Sequence, residues 1–205
     1  MELIRNPQHI PIPLLPSVAW YEGLQYDISP HFVPNKRLQQ ITLELEKLSS
    51  TPEAIVRFSE LCNELDDYGY WFILGTLWVL YTGFSELSLW KRLFRAQRPF
   101  RRECLMKPIE LEYFKKLPPY VACFRIHRPA ERDWISYTLD AVTAGCIGVR
   151  RGVSDVHEYR IKRSDILALF LRRGEYEVLC LDRRKARFVN FVPIKNMEEY
   201  VNDCR

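Results

Sequence analysis

The stretch Gly174-Glu175-Tyr176-Glu177-Val178-Leu179 indicates the fold of the C-terminal half of the chain. Two glutamates stand two positions apart in an otherwise apolar run, which predicts a strand over residues 175–181. A strand places residues i and i+2 on one face, so we expect both carboxylates to leave the same side of a sheet. On its own, such a pair is typical of a solvated strand edge.

Segments upstream and downstream of this stretch also alternate with a period of about two. Residues 120–127 predict a strand with Arg125 and His127 on one face, and residues 134–139 predict a strand with Ser136 and Thr138 on one face. We predict further strands at 157–161 and 187–194, a short apolar piece at 164–170, a helix capped by Asp140 and running to Cys146, and a terminal helical turn at 196–202. Three strands thus each present a polar pair.

The N-terminal half has a different, helical period. Residues 1–35 contain six prolines, which predict an extended arm, and helices are expected at 36–49, 53–65, 68–85 and 105–116. The uncharged run at 68–85 is long enough for a membrane span. Its glycines and threonines and the flanking acidic residues favour a buried core helix instead, so we expect no contact with a membrane. The sequence predicts an arm at 1–35, a helical region at 36–118 and a β-rich domain at 119–205.

Charge and cysteine usage narrow the function classes. The chain has 205 residues and a net charge of +4, which allows an anionic ligand. Neither of the two commonest glycine-rich nucleotide-binding motifs is present in the sequence. The histidines and cysteines show no paired metal-ligand spacing, so we expect no metal site. The start of the chain lacks a signal-peptide pattern. The cysteine pattern indicates free thiols and a cytoplasmic location.

A basic segment spans residues 91–102. Arg92, Arg95 and Arg98 would share a face if the segment were helical. The segment is either a solvated linker or an electrostatic patch for a phosphate-bearing partner, and the sequence leaves both interpretations open.

The C-terminal motifs resemble those of a known family. Phe124-Arg125, then Ser136-Tyr137-Thr138 within the run 134–140, then Glu175-Tyr176-Glu177 are similar to the Arg, Ser-x-Thr and Glu-x-Glu motifs of the ADP-ribosyltransferase superfamily, in its cholera-toxin-like branch. The chain is more closely similar to a set of uncharacterised phage and bacterial proteins. In those proteins a helical segment with a Trp-Phe-x-Leu-x-x-Leu-Trp motif, matched here by residues 71–78, precedes a transferase-like domain. The resemblance covers roughly residues 120–182, with a looser likeness back to about residue 68.

The resemblance implies an α+β fold in which the helical half is followed by a compact domain of two small packed β-sheets. It also implies a mono-ADP-ribosyltransferase that uses NAD and modifies a protein, with arginine a candidate acceptor, or a nucleic acid. Arg125 would contact the diphosphate of NAD, because a planar guanidinium matches phosphate geometry. Glu177 would stabilise the positive charge that develops on the ribose, with Ser136 orienting it and Thr138 supporting the strand.

Other residues have looser implied roles. Glu175 would position the acceptor or accept its proton. His127 is a candidate phosphate contact and Tyr137 a candidate ring contact, although both residue types are more often structural. Family members usually carry glycine directly after the arginine, where this chain has Ile126, so a bulkier strand could crowd the nucleotide. Two alternatives stay open: a catalytically inactive binding module with the same fold, and a nucleic-acid-binding protein that uses the basic segment 91–102 and residues 183–187.

Overall fold

A computed structural model of the chain describes residues 29–48, 51–80 and 85–194. It divides between Glu112 and Tyr113 into two compact units, the first helical and the second built on a sheet, so the predicted α+β order is confirmed. The boundary lies six residues before the predicted one, inside a helix. Most of the predicted arm at 1–35 and the predicted turn at 196–202 lie outside the described residues.

The described part of the chain before residue 120 contains six α-helices. They are α1 (Lys36–Glu46), α2 (Glu53–Leu61), α3 (Asp67–Leu80), α4 (Leu87–Phe94), α5 (Arg101–Leu105) and α6 (Pro108–Lys116). The single helix predicted at 105–116 is wrong, because Pro108 cannot continue a helix and α6 starts there. At the start of α2 no side chain caps the helix, and the Thr51 hydroxyl donates to Leu48 O (3.0 Å) instead.

Helix α3 forms the core of the helical unit. Trp71 and Leu74 are fully buried on it, and Tyr70 donates through its hydroxyl to Leu93 O at 2.8 Å. A helix that is apolar nearly all round is expected in a protein interior. The burial of these side chains confirms the prediction of a buried core helix. No helix among the described residues is both long and apolar enough to cross a membrane.

The basic segment is not one helix face. Helix α4 ends at Phe94, so Arg95 and Arg98 lie beyond it and the predicted alignment with Arg92 is wrong. Arg98 instead donates to two carbonyl oxygens, Leu65 O (2.9 Å) and Cys62 O (3.1 Å), and its guanidinium lies 4.5 Å from the centre of the Tyr70 ring. Arg98 therefore holds the end of α2 and the turn before α3.

The second unit contains a six-stranded, fully antiparallel sheet with the order β4-β5-β2-β1-β3-β6. Its strands are β1 (Tyr120–Arg125), β2 (Ser136–Thr138), β3 (Asp155–Lys162), β4 (Ala168–Phe170), β5 (Glu177–Leu179) and β6 (Arg187–Pro193). We expected two small packed sheets. The described strands instead form one, because β2 pairs with β1 on one side and with β5 on the other.

Helix α7 (Ala141–Arg150) packs against β1, β2 and β3. As predicted, Asp140 caps it, accepting from Val142 N (3.2 Å) and Thr143 N (2.9 Å). The cluster beneath α7 contains Phe124, Ile126, Val156 and Ile194. Because residues alternate along a strand, the neighbours of Phe124 and Val156 point to the opposite face. We call it the open face after the exposed rings of Phe188 and Phe191 at its β6 end, since Cys123 at its centre is buried.

Of the five cysteines within residues 29–48, 51–80 and 85–194, four are free and buried, as the sequence predicted, namely Cys62, Cys104, Cys123 and Cys180. Cys146 differs, since it is disulfide-bonded. The cytoplasmic location stays a prediction.

Candidate functional site

Glu177 is a buried carboxylate held by Ser136. Thr138 and Glu177 are directly opposite in the β2–β5 register, and Ser136 lies two positions along on the same face. The Ser136 hydroxyl donates to Glu177 Oε1, and Glu177 is only 9% exposed. Buried carboxylates are costly unless they are hydrogen-bonded. The sequence therefore correctly placed these two residues together, but the carboxylate lies inside the unit rather than on a solvated edge.

Arg125 meets Ser136 from the other side. Phe124 pairs with Thr138, so the next position, Arg125, lies on the open face while Ser136 and Glu177 lie on the face of α7. The guanidinium still reaches the end of β2, where Arg125 Nη1 donates to Ser136 O at 2.7 Å. Ser136 thus contacts Glu177 through its side chain and Arg125 through its backbone, while the side chains of Arg125 and Glu177 start from opposite faces of the sheet.

Glu131 is a residue of this site to which the sequence assigned no role. Its Oε1 accepts from Arg125 Nη2 at 2.6 Å, and its Oε2 lies 2.8 Å from His127 Nδ1. Burial favours a higher pKa for Glu131, but the bonds to His127 and the charge of Arg125 outweigh it and hold the pKa below the usual value. The only sequence signal was a charged loop after Arg125 and His127, and loop residues carry no periodicity that reveals their partners.

His127 has a structural arrangement. Its Nε2 lies 2.8 Å from the Tyr159 hydroxyl, so both ring nitrogens are engaged. The Trp134 ring lies 4.3 Å from the His127 ring. His127 therefore links the loop at 128–133 to β3. The predicted phosphate contact would require it to leave one of these partners.

Glu175 is not on the strand that was predicted for it. Strand β5 begins at Glu177, and the intervening Tyr176 has a φ of 47°, in the left-handed region. The alternation that would align the two glutamates is broken there, so the expectation that both share a strand face is wrong. The Glu175 carboxylate instead accepts from Arg173 Nη2 at 2.5 Å.

Thr138 and Tyr137 support the site from within. The Thr138 hydroxyl donates to Glu175 O at 2.6 Å, which fixes the turn before β5. Tyr137 is 2% exposed, and its hydroxyl accepts from Trp134 Nε1 at 2.8 Å. Burial is the main cause that raises the pKa of Tyr137. Thr138 thus holds the turn before β5, and its role toward a cofactor stays a prediction, whereas Tyr137 is a core residue.

Ile126 is accommodated by the helix. It is 5% exposed and belongs to the cluster beneath α7, where a Cβ added at Gly148 would come within 3.2 Å of Ile126 Cγ2. The Ile126 side chain, which stands where family members usually have glycine, therefore packs against α7 at Gly148.

The surroundings of Arg125 suit an anion. Arg125 Nε is buried and has no hydrogen-bond partner. Burial, followed by the charges of Arg128 and Arg125, lowers the pKa of Arg151, whereas the charges of Glu131 and Glu175 act to raise it. Arg128 and Arg125 therefore both lie within electrostatic range of Arg151. A phosphate-bearing group fits such a donor set. The described residues contain no group of histidine, cysteine, aspartate and glutamate side chains that could hold a metal ion.

Comparison with known proteins gives no family for this arrangement. No protein-family model, curated protein or solved structure matches the chain.

Proposed function

We propose that the sheet unit is an NAD-dependent mono-ADP-ribosyltransferase. The observation that supports this proposal best is the buried Glu177 carboxylate, oriented by Ser136, at the strand end where Arg125 bonds to the same serine. The motif resemblance at 120–182 adds to it. The N–H groups on Arg125 Nη1 and Nη2 that Ser136 and Glu131 leave free, together with the neighbouring arginines, would supply donors for a diphosphate.

Each residue has a task in this reaction. NAD would supply the ADP-ribosyl group: the bond from ribose C1′ to the nicotinamide nitrogen would break with its electron pair leaving on nicotinamide, and the acceptor atom would bond to C1′ and lose its proton. Glu177 stabilises positive charge on the ribose, and the hydrogen bond from Ser136 keeps one carboxylate oxygen fixed. Arg125 binds phosphate through the donors that Glu131 and Ser136 leave free, since a guanidinium has five N–H groups.

The ion pair made by Glu175 favours arginine as the residue that is modified. Its carboxylate already holds a guanidinium, that of Arg173, at 2.5 Å, and its side chain is 35% exposed. An incoming arginine could replace Arg173 in this ion pair and transfer its proton to Glu175. A protein acceptor is therefore favoured for this chemistry. The expected setting is the cytoplasm, and no adjacent membrane is required.

The test uses NAD labelled on the adenylate phosphate, incubated with the purified protein and a cell lysate. We expect labelled protein and released nicotinamide with the wild type, and at least a 100-fold lower rate with Glu177→Gln, because several kcal/mol of charge stabilisation is lost. Glu60→Gln removes a carboxylate from the surface of α2 and serves as the matched control. Absence of both label transfer and nicotinamide release from the wild type would refute the enzyme.

A second candidate, a binding module without turnover, is favoured by one observation. Two of the five N–H groups of Arg125 are already committed to Glu131 and Ser136, as in a purely structural arginine. This candidate predicts heat of binding when NAD is titrated into the protein, with no nicotinamide released over hours. The enzyme predicts both binding and release.

A further inference from the structure

Aromatic rings cross the open face of the sheet in register. His157 on β3 is opposite Arg125 on β1 and opposite Phe191 on β6, and Tyr159 is opposite Phe188. Residues paired in this way point to the same face. The ring centres are separated by 4.6 Å for His157 and Phe191, by 5.9 Å for Tyr159 and Phe188, and by 4.8 Å for Phe188 and Phe191.

The outer rings of this row are exposed. Tyr159 is 6% exposed, whereas Phe188 is 43% and Phe191 is 58% exposed. Both phenylalanines lie on β6, the last strand in the sheet order. Two adjacent phenylalanine rings in water forgo hydrophobic stabilisation, and exposed apolar patches of this kind mark binding surfaces. We call Phe188 and Phe191 the ring pair.

The row continues inward to the candidate site. The His127 and His157 rings are 4.6 Å apart, and the Trp134 ring lies 4.3 Å from the His127 ring. The Arg125 guanidinium lies 5.9 Å from the centre of the Trp134 ring. A chain bound along the ring pair would therefore be directed toward Arg125.

A basic turn borders the same face. Residues 183–185 are Arg183, Arg184 and Lys185, and all three are exposed. The Arg183 guanidinium lies 5.2 Å from the centre of the Trp134 ring, which places it on the open face. Arg184 is 2.9 Å from Asp182 and Lys185 is 3.8 Å from Asp165, so Arg183 is the cation of this turn best placed for a new anionic partner.

We propose that the open face binds single-stranded nucleic acid, with bases stacked on the ring pair and a phosphate at Arg183. Exposed rings beside cations are the chemistry that recognises such strands, because every base has a face that can stack and every linkage carries a negative charge. A duplex keeps its base faces stacked inside, so it offers phosphates and groove edges but no base face for the ring pair. Apolar peptides would use the rings but not the cations. Binding of a single strand at this face does not depend on transferase activity. If the sheet unit is also a transferase, the bound strand would be a nucleic-acid acceptor for it.

The test is fluorescence anisotropy of labelled oligonucleotides of about 20 nucleotides, longer than a single site requires. Deoxythymidine and uridine strands distinguish DNA from RNA, and a duplex of equal length is the third probe. We expect single strands to bind more tightly than the duplex, with affinity falling as salt rises. Phe188→Ala and Phe191→Ala should each weaken single-strand binding about 10-fold, and Phe191→Trp should retain it.

Matched controls lie on the same strand. Val189→Ala removes an exposed apolar side chain from β6 outside the ring pair. Arg187, opposite Arg160 in the register, lies on the other face, so Arg187→Ala removes a charge without changing the open face. We expect both to bind within about two-fold of wild type, while Arg183→Ala weakens binding and lowers the salt dependence by about one phosphate contact.

The proposal is overturned by equal binding of duplex and single strand, by equal losses for Arg183→Ala and Arg187→Ala, or by wild-type binding in both phenylalanine variants. Because no NAD is present, failure here leaves the transferase proposal standing.

Discussion

The guanidinium of Arg125 lies 2.6 Å from Glu131 Oε1, so the cation that was expected to face a diphosphate already has a carboxylate partner. Both side chains are mostly buried, at 17% and 16% exposure. Removing one partner of a buried ion pair strongly destabilises the folded protein, because the other charge is then buried without a counter-charge. Glu131 therefore sets both the position of Arg125 and the share of its donors that a ligand can use.

The first prediction concerns Glu131 and pH. The folded-state pKa of Glu131 is lowered, so its contribution to stability is complete above its ordinary pKa of 4.5 and is lost as the pH falls through the folded value. We expect Glu131→Gln to lower the free energy of unfolding by about 1–3 kcal/mol at pH 7. The difference from wild type should shrink steadily below about pH 4.

Urea unfolding midpoints at pH 7, 5, 4 and 3 measure this effect. Glu60→Gln, which breaks an exposed pair with Arg57, should change the free energy by less than about 1 kcal/mol. A deficit in Glu131→Gln that stays constant down to pH 3 would show that the carboxylate charge plays no part.

The second prediction concerns the bond from Ser136 to Glu177. Ser136→Ala leaves the buried carboxylate without its hydroxyl donor, which should cost about 1–3 kcal/mol of stability. The rate of nicotinamide release should fall about 10-fold or more, since Glu177 is no longer fixed. Ser154→Ala removes an exposed hydroxyl that bonds to Asp155 and should leave both quantities unchanged. Equal rates for the two variants would mean that Ser136 does not orient Glu177.

The third prediction separates structural from solvated arginines in the basic segment. Arg98→Ala removes the donor to Leu65 O and Cys62 O, and it should destabilise the protein by about 1–3 kcal/mol. Arg92→Ala, at an exposed position of α4, should change the free energy of unfolding by no more than about 0.5 kcal/mol. Comparable small losses in thermal or urea unfolding would contradict the role of Arg98.

The fourth prediction concerns thiol chemistry. Burial raises the pKa of Cys104 and of Cys180 to about 11, so few thiolates are present at pH 8. Alkylation by iodoacetamide should be on the order of 100-fold slower in the folded protein than in urea, because the thiolate is the reactive form. Mass spectrometry of the alkylated peptides gives the rate at each cysteine. Rapid labelling of Cys104 or Cys180 in the folded state would show that these sites open readily.

The sequence predicted the strand segments and the meeting of Ser136 with Glu177, because alternation is a local signal and the motif order restricted the partners. It failed at Glu175, where the left-handed backbone of Tyr176 interrupts the strand; nothing in a tyrosine signals that conformation. It also missed Glu131, whose partners are chosen by loop geometry rather than by period. The sequence also did not predict a single sheet, which results from β2 pairing with both β1 and β5. Hydrophobic periodicity reveals that a segment is a strand but not which distant strand it pairs with.

The pairing of β2 with β5 has a consequence for how the protein is made. Ser136 and Glu177 are 41 positions apart, so their bond closes one of the longer loops in the sheet unit. During synthesis, β1 and β2 leave the ribosome well before β5 exists, and a nascent chain that has not reached Glu177 lacks the carboxylate. The contact between Ser136 and Glu177 can therefore form only after the whole stretch between them has been synthesised.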